Sequence, residues 1–372
     1  MAAVILVHGP FVLASGVSHA NDSIAYARGA DRLIATGFDF AAVIGQADTL
    51  YPAALYLLFA TLVALLKLLL GAHWGTGLVS LTLLAEAGVA AMLVGVVRRS
   101  TDSAPAAWGA LGLFLAAFGI VRWTPFLVSD PTFMLLAFVI FALTADRILE
   151  RKGSWLPVFA ATIAAVLYRP TGVALVPAVT CAMFIARTDP GRWRKAAAAL
   201  AMAGAVAGAW VFAWLMQQPS RWPFPAMSRT IEVTADHYAV GEVVSARPET
   251  YHMPPVTLLD HGALVGDRFL HFFAVTAADF SLAHKLVEAA FFLPVYGLAA
   301  GFATALLRGR NGLSGRQKDV FLAAAAFVLV TALFHGMLQV DFDWRYRLPV
   351  LPHMILLAAG GIALLSRRRM VG

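Results

Sequence analysis

At 372 residues, 60% hydrophobic and only 13% charged, with a mean hydropathy of +0.77, the chain is too apolar for an ordinary soluble domain. Its net charge of +7 does not signify nucleic acid, because sixteen of the 28 Lys and Arg fall in five short places: Arg98-Arg99, Arg147 to Lys152, Arg187 to Lys195, Arg308 to Lys318 and Arg367-Arg368-Arg369. A single cysteine, Cys181, excludes an internal disulfide and reads as a small buried hydrophobe.

Apolar runs at about 3–17, 50–72, 75–97, 105–121, 126–145, 155–168, 171–186, 196–217, 287–306, 320–337 and 348–366 predict an all-α, polytopic transmembrane bundle of about 10–11 segments. About 20 apolar residues cross a hydrocarbon core, and the absence of alternating strands excludes a barrel. The first run lacks a basic region before it and reads as a true helix rather than a signal peptide. By the positive-inside rule the basic clusters mark the cytoplasmic face. Residues 338–347, the long polar segment 218–284 and the turns at Asp130 and Arg169 then share the opposite face.

Eleven full crossings would put residues 18–49 on the wrong side, so one run does not cross normally. The run 50–72, with Lys67 inside it, is one choice; the short runs flanking Arg169-Pro170 are another, since Pro170 removes an amide donor and suits a break between half-helices. The expected organisation is an N-terminal membrane module, 1–217, with a first outer loop at 18–49; an extracytoplasmic region, 218–284; and C-terminal membrane helices, 285–372. Region 218–284 has no glycine-rich phosphate loop, paired cysteines or zinc pattern. Its Trp222, Phe224, Tyr238, Tyr251, Phe272 and Phe273 suit either a lid at the membrane interface or an ordered connector.

Acids and arginines stand at the ends of these runs. Asp22 is placed to act as a general base or to cap the helix that begins there. Asp130, followed by Pro131, is either a cap or an acid that binds a divalent ion or orients an acceptor, and Asp48 has the same ambiguity. Asp39, between two phenylalanines, reads as solvated. Arg169 is costly in lipid unless it faces a cavity. Arg345 and Arg347 can fork onto a phosphate, pointing together if the segment is extended and apart if it is helical; they can also anchor at the interface or pair with Asp341 and Asp343. Glu86 needs a partner, a proton or a wet cavity, and Lys67 is one partner the sequence offers. His252, His261 and His353 have no ligand spacing.

Asp22-Ser23-x-x-Tyr26-x-x-x-Ala30, Leu50-Tyr51-Pro52, Ser129-Asp130-Pro131, Arg169-Pro170-Thr171-Gly172 and Arg345-Tyr346-Arg347-Leu348-Pro349, in this order and at helix ends, resemble the GT-C superfamily of integral membrane glycosyltransferases. That superfamily includes protein mannosyltransferases and aminoarabinose transferases. The resemblance implies a polyprenyl-phosphate-linked sugar donor, a lipid, glycan or protein acceptor, and inversion at the anomeric carbon. It also implies a site on the periplasmic or luminal face, here expected in a bacterial inner membrane. Asp22 takes the place of the family's essential acid, with Tyr26, Asp48, Asp130, Arg169, Arg345 and Arg347 around the substrates. A divalent metal would fall to Asp22 and Asp130, although Asn21 stands where many relatives carry a second acid. The alternatives from other classes are a transporter or flippase, which commonly has an internal repeat and helices broken near mid-membrane, and a non-catalytic assembly or lipid-binding protein.

Overall fold

The computed structural model describes residues 1–45, 56–151, 153–187, 208, 235–245, 247–338 and 345–371. The described residues are 82% helical with no strand. Their helices are α1 (Ala2–Ser15), α2 (Asn21–Ala35), α3 (Phe40–Gly45), α4 (Leu57–Leu70), α5 (Trp74–Thr101), α6 (Ala104–Ala116), α7 (Phe118–Trp123), α8 (Asp130–Glu150), α9 (Leu156–Tyr168), α10 (Leu175–Arg187), α11 (Leu258–Phe272), α12 (Leu282–Leu307), α13 (Gly315–Leu338) and α14 (Leu351–Val371). Among the described residues, five helical stretches are long and apolar enough to cross a membrane: Leu57–Thr101, Asp130–Glu150, Leu282–Leu307, Gly315–Leu338 and Arg345–Arg367.

Side-chain bonds define two ends of the bundle. At the basic end Arg367 donates to the carbonyls of Thr101, Asn311 and Gly312, Gln317 donates to Asp102 at 2.7 Å, and Arg316 donates to the Leu149 carbonyl at 2.8 Å. These join the C-terminal ends of α5, α8 and α14 and the α12–α13 turn. The opposite ends of α5, α8, α13 and α14 therefore meet at a second, polar end, where Asp130 and Arg345 stand. In a Cys181→Ser background, cysteines at positions 20 and 245 are expected to react with an impermeant thiol reagent from one side of the membrane, and one at position 314 only from the other. Labelling of 20 and 314 from the same side would contradict the two-ended arrangement.

The described part of the run 50–72, α4, does not lead from one end to the other. Near the start of α4, Phe59 packs on Tyr26 of α2 and on Tyr168; near its end, Lys67 donates to Ala27 O at 3.0 Å and Asp31 at 2.7 Å, also on α2. Both halves of α4 thus lean on α2 at the polar end, which keeps Asp22 on the same side as Asp130 and Arg345. The part of this run from 50 to 55, and the whole run 196–217, lie outside the described residues.

Two expected continuous runs are interrupted, and one expected break is present. The break at Arg169 is real: its backbone is extended (φ −161°, ψ 146°), and a 3-10 turn, Pro170–Ala174, follows before α10. Gly172 is required there because a Cβ would overlap the Ala165 carbonyl. The run 105–121 instead divides at Ala117 (ψ 89°) into α6 and α7. The run 126–145 starts helical only at Asp130, because Ser18 N donates to Pro125 O and Leu127 N to Ser18 O, pairing the two loops in parallel. Backbone pairing with a distant segment overrides the apolar pattern here.

The core centres on α8, where Phe133, Phe138 and Phe141 are fully buried, with Phe327 of α13 and Phe302 of α12 among the other buried rings. Gly361 lets α14 approach α12 closely, since a Cβ there would overlap the Leu298 carbonyl. Small residues do this work where lipid removes the hydrophobic drive between helices. Within 218–284, the described part is folded rather than open: Thr257 and Asp260 form a reciprocal cap on α11, Arg268 donates to the carbonyls of Glu242 and Leu338, and Tyr238 donates to Met337 O at 2.7 Å. This segment is fastened to the polar end of α13.

Candidate functional site

The first turn of α2 is fixed from two directions. Ala20 N donates to Ser23 Oγ, and that hydroxyl donates to Leu127 O, both at 2.9 Å. Asp22 consequently lies in the first helical turn, 5% exposed, where the helix dipole favours a negative charge. Its Oδ2 is 2.7 Å from Arg345 Nη2. Ala20, not Asp22, is the N-cap of α2, and Ser23 supplies the returning bond.

A second buried acid–arginine pair lies beside the first. Asp130, in the first turn of α8, pairs with Arg169, whose guanidinium also donates to Ser129 Oγ at 2.9 Å and Thr171 Oγ1 at 3.2 Å. Asp130 Oδ1 is buried and accepts no hydrogen bond. The Tyr346 ring stands between the two guanidiniums, 5.4 Å from Arg345 and 5.5 Å from Arg169. Tyr26 closes the group with its hydroxyl 3.4 Å from Ser129 Oγ. Burial pushes the Tyr26 phenol well above its ordinary range, so it stays a neutral hydroxyl. Asp22, Tyr26, Asp130, Arg169 and Arg345 are therefore brought together from α2, α8, the α9–α10 break and the turn before α14.

Arg347 is not part of this group. Arg345–Val350 is a 3-10 turn, and with three residues per turn two side chains two positions apart diverge. Arg347 instead lies over Phe292 at 4.5 Å and donates to Tyr296 Oη at 3.3 Å. It lines a cavity of ≈ 20 Å³ with Arg122, Trp123 and Glu288, room for about one water. His284 Nε2 stands 3.4 Å from Arg122 and 3.5 Å from Glu288. Trp123 separates this cavity from the main group, its ring lying 5.8 Å from Arg345. Arg122, Trp123, His284 and Glu288 escaped the sequence reading, although an acid near the start of the apolar run 287–306 was a usable signal.

Glu86 is not paired with Lys67. Its partners are His8 Nδ1, at 2.9 Å, and the Thr124 hydroxyl; Lys67 is drawn to Asp31 by the lean of α4 on α2. The remaining residues have local roles. Asp39 accepts from Ala42 N, His252 lies 3.3 Å from Asp267, His261 stacks on Tyr238, and His353 is buried against Phe138, Phe141 and Phe327. Cys181 is a free thiol. Asp48, Tyr51, Pro52, Asp341, Asp343, Trp344 and Trp222 lie outside the described residues.

A divalent ion does not fit the two acids as they stand. Each carboxylate already faces a guanidinium, so a cation there would meet a like charge, and no group of three or more His, Cys, Asp or Glu side chains that could hold a metal occurs among the described residues. Compared with protein-family models, with curated proteins and with solved structures, the chain matches none.

Proposed function

We propose that the chain is a GT-C-type integral membrane glycosyltransferase, a polytopic bundle of 10–11 segments whose polar end faces the periplasm of a bacterial inner membrane. It would move a sugar from a polyprenyl-phosphate donor to a hydroxyl acceptor on a lipid, glycan or protein. The observation that carries this reading is the convergence of two buried acid–arginine pairs, Asp22 with Arg345 and Asp130 with Arg169, from four distant segments at one end of the bundle. Ion pairs that costly to bury, in a chain with so few charges, favour a site for a charged substrate.

The Asp22–Arg345 pair gives the reaction a starting state. A donor phosphate competes for Arg345, which can bind it through two N–H groups, and the exchange turns Asp22 toward the acceptor. Asp22 takes the acceptor hydroxyl's proton as its oxygen bonds to the anomeric carbon from the face opposite the phosphate. The carbon–oxygen bond to phosphate breaks, its electron pair stays on the phosphate, and the configuration inverts. Arg345 holds the added charge. Arg169 stays fixed by Asp130 as a second positive centre, and Asp130 Oδ1, which lacks a donor, is suited to accept a sugar or acceptor hydroxyl. Tyr26 serves as a neutral hydrogen-bonding hydroxyl.

Mass spectrometry of lipid-linked sugars and envelope glycans, in cells with and without the protein, tests the reading. Loss of one sugar from one acceptor, with build-up of the matching lipid-linked sugar, is expected. Unchanged glycans beside a lipid-linked sugar trapped on the cytoplasmic side would instead support a transporter or flippase, the alternative reading.

A further inference from the structure

One titratable cluster has no part in the proposed transfer. His8 of α1, Glu86 of α5 and Thr124, which follows α7, are 1%, 0% and 0% exposed. Glu86 lies within a stretch apolar enough to span a membrane. An ionisable group there is a functional position by default.

The hydrogen atoms can be placed from the partners. His8 Nε2 faces the Leu115 carbonyl at 3.2 Å, and a carbonyl only accepts, so Nε2 carries a hydrogen. His8 Nδ1 and Glu86 Oε2, 2.9 Å apart, then share one proton between them, which leaves the pair neutral overall. The Thr124 hydroxyl has a single hydrogen but two acceptors in reach: Glu86 Oε1 and the Ile120 carbonyl, at 3.1 Å. When it donates to Glu86, every polar atom of the cluster is paired.

We infer that His8, Glu86 and Thr124 form a buried proton-binding site that takes up one further proton without losing a hydrogen bond. The added proton goes to Glu86 Oε1, which then donates to Thr124 Oγ1. The threonine hydrogen turns to Ile120 O, while His8 donates from Nδ1 to Glu86 Oε2 and from Nε2 to Leu115 O. The charge rises by one, which is costly in an apolar surrounding, but no polar atom is orphaned. Among the described residues no other charged side chain acts on Glu86 from α1, α5, α6 or α7.

Proton occupancy is tied to helix packing by where the partners come from. Leu115 O and Ile120 O lie on either side of the α6–α7 break at Ala117; His8 of α1 holds Leu115 O and Glu86 of α5, while Thr124 holds Ile120 O. Pro10, two residues on, removes the amide that would bond Leu6 O and loosens α1 beside the site.

The site rests on this geometry and stands apart from the transfer reading. Infrared difference spectra of the purified full-length protein in lipid nanodiscs, between neutral and acid buffer, test it. Wild type is expected to change in the carboxylic-acid carbonyl region on acidification. The change should be missing from Glu86→Gln and kept in Asp22→Asn. In Thr124→Val, which cannot accept from the protonated acid, the carbonyl band of that acid should move to higher frequency, since its O–H loses its acceptor. A wild-type spectrum without the change, or one that survives Glu86→Gln, overturns the inference. Should Glu86→Gln fail to fold, Thr124→Val decides, and an unmoved band overturns it.

Discussion

Asp22→Asn is expected to lower sugar transfer by about 10²–10⁴-fold, the usual contribution of a positioned general base. The amide keeps the size of the side chain and its place in the first turn of α2, which Ser23 and Leu127 hold independently of it. It cannot take a proton at neutral pH. The single substitution also leaves Arg345 facing a neutral group in a buried site, so some loss of thermal stability is expected with the loss of turnover. The double variant Asp22→Asn/Arg345→Gln separates the two effects. It removes both charges, should recover most of the melting temperature, and should remain inactive. Near-wild-type turnover by Asp22→Asn would end the assignment of Asp22 as base, whatever the melting temperature.

How far the sequence led depends on whether a property is local. The extended residue at Arg169 was legible because Pro170 restricts its predecessor and Gly172 permits close approach. The break at Ala117 was not, since alanines and phenylalanine continue a helical pattern without interruption and the division reflects surrounding contacts. Phe126 and Leu127 read as helix by their apolarity and are extended because Ser18 pairs with their backbone. The acids and arginines at helix ends were visible as types in the chain, and four of them do meet, beside Tyr26. Which ones meet was not visible. Arg345 and Arg347 needed the 3-10 turn to be told apart, and the partners of Glu86 and Lys67 lie 78 and 36 residues away. The end of the bundle occupied by residues 18–45 followed only once α4 was seen to lean on α2.

The largest stability effect is expected at the second pair. Asp130 is 0% and Arg169 is 4% exposed, and burying two ions is repaid only while each has the other. Asp130→Asn leaves a buried guanidinium without its counter-ion and should cost about 3–5 kcal/mol. Arg169→Gln should cost a similar amount by stranding Asp130, and Arg169→Lys cannot serve both Ser129 and Thr171 with the planar fork. Removing both charges in Asp130→Asn/Arg169→Gln takes away the uncompensated ion, so the double variant should be more stable than either single one. Thermal unfolding in detergent, read beside turnover, divides the roles of this pair. If it only braces the α8 and α9–α10 ends, turnover should return with stability in the double variant. If Asp130 Oδ1 accepts a substrate hydroxyl and Arg169 supplies fixed positive charge, the melting temperature should recover and turnover should stay low. Equal stability of wild type and both single variants would show that the two charges are not holding each other in the membrane at all.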